Sequence, residues 1–129
     1  MRRVVVDASA LAAVTFGEPE ADRCGRMLDG AVLHAPSLLR YELANAACKK
    51  CRATQASARD IAMALSLALD QRRGIVYHDP NPVDVLLLAN ATGLSPYDAS
   101  YLWLACFLGA DLITLDRQLA AAHDAMAIA

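Results

Sequence analysis

No apolar stretch in this sequence approaches the ~18 residues that cross a membrane; Ile61–Leu69 and Leu102–Ala110 are among the longest. A usable export signal is missing too. Met1-Arg2-Arg3-Val4-Val5-Val6 ahead of Ala8-Ser9-Ala10 imitates one, but Asp7 ends its apolar segment after three valines, against the roughly 7–15 residues required. The expected setting is the cytosol, with no membrane partner. Positive charge is not in surplus: 12 Lys and Arg face 14 Asp and Glu, for a net charge of −2 and a pI of ≈ 5.8. That balance argues against a protein that clings to nucleic acid by bulk electrostatics. Aromatic residues are scarce at 5%, so base stacking on an aromatic platform is not expected to dominate binding. A second cysteine pair is also lacking. Cys48-Lys49-Lys50-Cys51 has CxxC spacing, but zinc would need two more ligands at comparable spacing. The motif falls inside a predicted helix and not after a strand, where a thioredoxin-type pair sits. Cys24, Cys48, Cys51 and Cys106 therefore read as reduced, structurally neutral thiols. There is no internal repeat, low-complexity segment or linker.

What is present is an Ala- and Leu-rich chain, 57% hydrophobic and 129 residues long, enough for one domain spanning 1–129. Arg3–Val6 reads as a short, fully apolar strand of the kind covered on both faces. Helical patterns follow at Ala8–Val14 and Glu18–Leu28, then a second strand at Ala31–His34. Pro36-Ser37 opens a helix from Leu38 to about Arg52, and another runs from about Ala56 to Arg73. Ile75–Tyr77 reads as a third strand, Val83–Ala91 as a helix, and Pro96 to about Leu108 as another. Leu112–Leu115 is the fourth strand, with a last helix over Arg117–His123. Strands alternating with helices, punctuated by Gly and Pro, give a parallel α/β sandwich.

Four acidic residues sit where strand patterns give way to helical ones: Asp7, Glu42, Asp98 and Asp116. In a parallel sheet these positions converge on one edge, where ligands bind. Four carboxylates crowded there raise one another's pKa and cannot all stay ionised without a cation. An open set of oxygen donors suits a hard ion such as Mg²⁺ or Mn²⁺. Each acid also has a plainer explanation. Asp7 and Asp116 can be helix N-caps, and Ser95-Pro96-Tyr97-Asp98 has the form of a capping box. Glu42 resists that treatment because it is read as lying beyond the first turn of its helix, with Asn45 on the same side. Ser9 and Thr114, each two residues from an acid, are candidates to support a metal shell or a phosphate.

Lys49, Lys50, Arg52 and Arg59 cluster, and Arg72-Arg73 ends the next helical run. Singly each is best read as part of a solvated helix face. As a group they are candidates for a phosphate-steering patch beside the acidic site, with Lys49, Lys50 and Arg52 as its phosphate contacts. His34, His78 and His123 are scattered through different elements and read as strand-end or surface residues.

Val4-Val5-Val6-Asp7-Ala8-Ser9-Ala10-Leu11 resembles the opening of a PIN domain. Pro36-Ser37-Leu38-Leu39-Arg40-Tyr41-Glu42-Leu43-Ala44-Asn45 is similar to that family's second motif. Leu94-Ser95-Pro96-Tyr97-Asp98-Ala99-Ser100-Tyr101 and Leu112-Ile113-Thr114-Leu115-Asp116 resemble the third and fourth. The four stand in order across nearly the whole chain, whose size most resembles the VapC toxins of type II toxin–antitoxin pairs. The resemblance implies a three-layer α/β/α sandwich with a parallel sheet of four or five strands. It also implies an endoribonuclease dependent on Mg²⁺ or Mn²⁺, with Asp7, Glu42, Asp98 and Asp116 holding metal directly or through water. Ser9, Asn45 and Thr114 would support them, and a metal-activated water would attack phosphorus without a protein nucleophile. A VapB-like antitoxin and a homodimer are the implied partners beside RNA; Glu18–Leu28 and Leu38–Arg52 are candidate dimer surfaces. A receiver domain is disfavoured because Lys49 and Lys50 are the only lysines, and a haloacid-dehalogenase-type phosphatase because Asp7-Ala8-Ser9 lacks the second Asp. A housekeeping RNA-processing nuclease and a non-catalytic module whose acids are helix caps remain as alternatives.

Overall fold

The computed structural model describes residues 1–70 and 74–128. Its elements run β1 (Arg3–Val6), α1 (Ala8–Thr15), α2 (Ala21–Leu28), β2 (Val32–Pro36), α3 (Leu39–Ala53), α4 (Ala58–Ala68), β3 (Val76–His78), α5 (Pro82–Thr92), α6 (Pro96–Leu108), β4 (Asp111–Ile113) and α7 (Arg117–Ile128). The four strands form one parallel sheet in the order β3-β2-β1-β4. No helix among the described residues is long and apolar enough to cross a membrane.

Local chemistry explains the helix boundaries. Asp7, Ser57, Asn81 and Ser95 cap α1, α4, α5 and α6 by accepting from free backbone N–H groups. Pro82 and Pro96 begin α5 and α6, where proline's missing N–H costs nothing. Gly93 and Gly109 end the same two helices at φ of 76° and 61°, a left-handed turn that glycine adopts without strain.

Several boundaries differ from those expected. The fourth strand stops at Ile113 because the Asp7 N–H takes the Ile113 carbonyl, while the Leu115 N–H turns aside to the Ser9 hydroxyl. The second strand runs to Pro36, paired with His78 at its end, so both β2 and β3 extend beyond the apolar residues that mark them in sequence. The second helix starts at Ala21, since the turn from Glu18 holds the Ala21 N–H at 2.9 Å. The last helix continues to Ile128 through alanines and no Gly or Pro. The helix expected over Ala56–Arg73 is shorter, Ala58–Ala68, because Ser57 caps its start and Leu69 closes its end on the Leu65 carbonyl; Arg72-Arg73 lies outside the described residues.

Topology positions the functional edge. From β1 to β2 to β3 the chain steps outward in one direction through α1–α2 and α3–α4; it then returns through α5–α6 to place β4 on the other side of β1. Right-handed crossovers in opposite directions put their helices on opposite faces. Helices α1–α4 pack among themselves, while α6 lies across β1, β2 and β4 between α5 and α7. The result is the expected three-layer α/β/α sandwich. Val4, Val5 and Val6 are fully buried between these layers, with Leu39 and Leu43 of α3 and Leu102 and Leu104 of α6. The strand order reverses between β1 and β4, so a crevice opens beyond their carboxyl ends.

Candidate active site

Asp7 leaves β1 and Asp116 follows β4, one on each side of that crevice. Glu42 enters from the fourth residue of α3 and Asp98 from the first turn of α6. Glu42 thus lies within its helix's first turn, not beyond it, because the helix begins one residue later than expected.

Asp7 is buried and over-determined. Its Oδ1 accepts from the Ser9 hydroxyl at 2.7 Å and the Ala10 N–H at 3.0 Å, and its Oδ2 accepts from the Thr114 hydroxyl. Thr114 Oγ1 in turn accepts from the Asp116 N–H at 3.0 Å, and Ser9 Oγ accepts from the Leu115 N–H at 3.0 Å. These two hydroxyls stitch the end of β1 to the end of β4. Asp116 caps α7 through the Leu119 N–H, 3.0 Å from its Oδ1. On the far side, the buried Tyr101 of α6 donates to Glu42 Oε1 at 2.6 Å, tying α6 to α3. In Ser95-x-x-Asp98 the Ser95 hydroxyl accepts from the Asp98 N–H at 3.1 Å, so the cap forms while the Asp98 carboxylate sits half-buried. The capping explanations and a shared acidic edge coexist.

Asp7, Glu42 and Asp98 each feel the charge of neighbouring acids. Burial raises the Asp7 pKa against three hydrogen bonds that lower it, and the charge of Asp116 raises it further. Burial raises Glu42 as well, opposed by the Tyr101 bond and reinforced by Asp98 and Asp7. Asp98 is raised by burial and then by Asp116 and Asp7, with Ser95 in opposition. Tyr101, enclosed and bonded to a carboxylate, is driven far above the ordinary phenol range, so it acts as a permanent donor.

Among the described residues, no three His, Cys, Asp or Glu side chains converge tightly enough to ligate one ion by themselves. The donor set is all oxygen, mutually repelling and open on one side. It fits a hard cation held by one or two carboxylates and otherwise by water, the habit of Mg²⁺, and does not fit a closed structural zinc site.

The family profile described as PIN domain matches residues 4–124. The chain belongs to the PIN domain family. Within it the kinship is of the VapC type: the chain is 35% identical over 121 residues to ribonuclease VapC3 of Pyrobaculum aerophilum, covering 92% of each protein. The crystal structure of PAE2754 from the same organism superposes with a TM-score of 0.75 at 28% identity, over 98% of this chain and 95% of that one.

In this PIN chain the expected basic residues are differently engaged: Lys50 Nζ pairs with Glu18 Oε1 at 2.6 Å, whereas Lys49 and Arg52 are exposed. Asn45 is exposed one turn beyond Glu42. Cys48 and Cys51 are free thiols on α3, as expected for a helical CxxC. Tyr101 is the participant that sequence reasoning missed. It stands three residues after Asp98, a spacing that places both on one side of a helix.

The histidines are not all scattered. His34 Nδ1 and His78 Nε2 lie 2.8 Å apart across β2 and β3, with the rings stacked. His34 is buried and its Nε2 has no partner among the described residues. Burial, then His78 and Arg3, lower its pKa. The unfolded chain therefore binds a proton that the folded one resists, and stability falls as pH drops from about 6.5 towards the lowered folded value. In urea titrations over that window, the midpoint of the parent should decline more steeply than that of His34→Gln. Parallel slopes would show that His34 carries no such linkage.

Proposed function

We propose that this PIN protein is a metal-dependent endoribonuclease, acting as the toxin of a toxin–antitoxin pair. The single observation that carries the nuclease reading is the gathering of Asp7, Asp98 and Asp116, with Glu42 beside Asp98 and Asp7, at the β1–β4 edge of the sheet, close enough for charge to act between them. Kinship with a protein named ribonuclease VapC3 supports RNA as substrate, a VapB-like antitoxin as partner, and the toxin role over general RNA processing. We further propose one domain over residues 1–129, a cytoplasmic setting and a homodimer.

The four carboxylates would hold Mg²⁺ or Mn²⁺, in part through water. Such an ion, when bound, eases deprotonation of water and offsets charge on the phosphate and the departing 3′ oxygen. The chain's own contributions are positional. Ser9 and Thr114 fix both Asp7 oxygens, so that this carboxylate meets the substrate without reorganising. Tyr101 aims Glu42 by holding its Oε1. Asp98, half-buried in the first turn of α6, would add a carboxylate to that set from the side opposite the strand ends. Lys49 and Arg52 are candidates for contacts to phosphates further along the strand.

Two experiments address this. Purified protein, free of any antitoxin, is incubated with total cellular RNA in Mg²⁺, Mn²⁺ or EDTA, beside Asp98→Asn. Discrete fragments that need metal and vanish in the variant are expected; no cleavage by well-folded protein would favour a binding module. Growth arrest on expression, relieved by a small upstream reading frame, would separate toxin from processing enzyme.

Tyr101→Phe probes the positional argument. The lost hydrogen bond had lowered the Glu42 pKa, so Glu42 protonates at higher pH in the variant. The acid limb of the cleavage profile should move to higher pH, with KM for RNA nearly unchanged. An unshifted limb would mean that Glu42 protonation does not govern the rate.

A further inference from the structure

The chain has four tyrosines, two phenylalanines and one tryptophan, and three of these seven are exposed: Tyr41, Tyr97 and Phe107, at 74%, 65% and 69%. Low aromatic content says nothing about where the few rings stand. Tyr41 immediately precedes Glu42 and Tyr97 immediately precedes Asp98. The hydrogen bond from Tyr101 to Glu42 joins α6 to α3 at this place. Tyr97 lies four residues before Tyr101, about 6 Å along the helix towards the mouth of the crevice. Tyr41 is the next residue to Glu42 on the facing helix. Two solvent-facing rings therefore stand next in sequence to two of the four acids, on two helices that the Tyr101–Glu42 bond joins.

Tyr41 is also braced. The Arg40 guanidinium lies 5.9 Å from its ring centroid and 5.2 Å from that of Tyr77, and Arg40 Nε donates to the Ser37 carbonyl at 3.3 Å. Cation–π contact holds a ring in place without covering it fully. Isolated exposed aromatics are ordinary on a protein surface. Placement of two of three beside carboxylates that repel a phosphate backbone is not ordinary, because an attraction independent of charge is what such an edge lacks.

We propose that Tyr41 and Tyr97 are substrate-positioning residues that stack on unpaired nucleobases of RNA on either side of the acidic crevice. The inference rests on the nuclease reading and deepens it by naming two residues that would hold an unpaired stretch of the substrate in place. In a duplex the base faces are already occupied by stacking within the helix, and A-form grooves do not offer them to side chains. An unpaired base offers its whole face, and stacking tolerates any sequence.

The test uses the full chain and a labelled single-stranded RNA of about a dozen nucleotides, free or annealed to its complement. Binding is followed by anisotropy in EDTA, and cleavage by kcat and KM in Mn²⁺, so that stacking and chemistry register separately. Tyr41→Ala and Tyr97→Ala should each weaken single-strand binding about 5- to 150-fold, raising KM more than lowering kcat. Tyr41→Phe and Tyr97→Phe should stay near the parent, as should Phe107→Ala at the far end of α6. Alanine variants that bind like the parent, phenylalanine variants as weak as alanine, or equal affinity for duplex would each overturn the proposal. Tyrosine-dependent binding without any metal-dependent cleavage would leave the stacking inference standing and remove the nuclease reading alone.

Discussion

Asp98→Asn is expected to lower RNA cleavage by about 100-fold or more, while making the metal-free protein more stable at neutral pH. The first effect follows from role. Residues that merely support a metal ligand cost about 10–100-fold when removed, so a direct participant should reach at least the upper end. The second follows from linkage. Burial, together with the charges of Asp116 and Asp7, raises the Asp98 pKa above its ordinary 3.8. A raised folded value means that the folded state holds the proton better than the unfolded one. Its favourable contribution is fully present below the unfolded pKa and is lost as pH rises through the folded value. At pH 7.5 the ionised carboxylate is thus a cost to the fold that asparagine does not carry. Calorimetry in EDTA should show a higher Tm for the variant at pH 7.5, with the gap closing as pH approaches 4. Added Mg²⁺ should raise the Tm of the parent more than that of the variant. A lower Tm for Asp98→Asn at neutral pH would mean that Asp98 is a structural cap first.

That trade between stability and function also explains what the sequence discloses. Strand and helix identity were legible because burial sets their patterns: Val4-Val5-Val6 is apolar on both faces of β1, and capping residues with prolines start α5 and α6. The positions of the four acids were legible because parallel topology leaves few places for residues that follow strands. What stayed hidden depends on partners distant in the chain. The fourth strand is shortened by a bond between Leu115 and Ser9, 106 residues apart. Lys50 pairs with Glu18 of a distant turn, and His34 meets His78 only through the pairing of β2 with β3. Tyr101 reads as one more core aromatic until α6 is laid against α3. Its hydroxyl then proves to be aimed at a carboxylate.

Thr114→Val should be nearly as damaging as loss of an acid, although valine matches threonine in shape. The Thr114 hydroxyl donates to Asp7 Oδ2 and accepts from the Asp116 N–H at 3.0 Å, so one atom serves both ends of the crevice. Valine leaves a part-buried N–H without its acceptor, which costs about 1–3 kcal/mol of stability. It also removes one of the hydrogen bonds that lower the Asp7 pKa, so burial and Asp116 push that group higher still. Cleavage should fall about 10–100-fold, as for other residues that orient a metal ligand, and most steeply on the acid side of the profile. Thr114→Ser keeps the hydroxyl and should restore both stability and rate. Ser9→Ala provides the comparison: it too leaves an N–H, that of Leu115, without its acceptor, so its stability loss should be similar, but the Ala10 N–H stays on Asp7 Oδ1 and the further rise of the Asp7 pKa should be smaller. If Thr114→Val kept full activity with Tm alone reduced, the hydroxyl would be a fastener of β4 to β1 and nothing more. If Thr114→Ser failed to rescue, the methyl group and not the hydrogen bonds would be what holds the two strand ends in register.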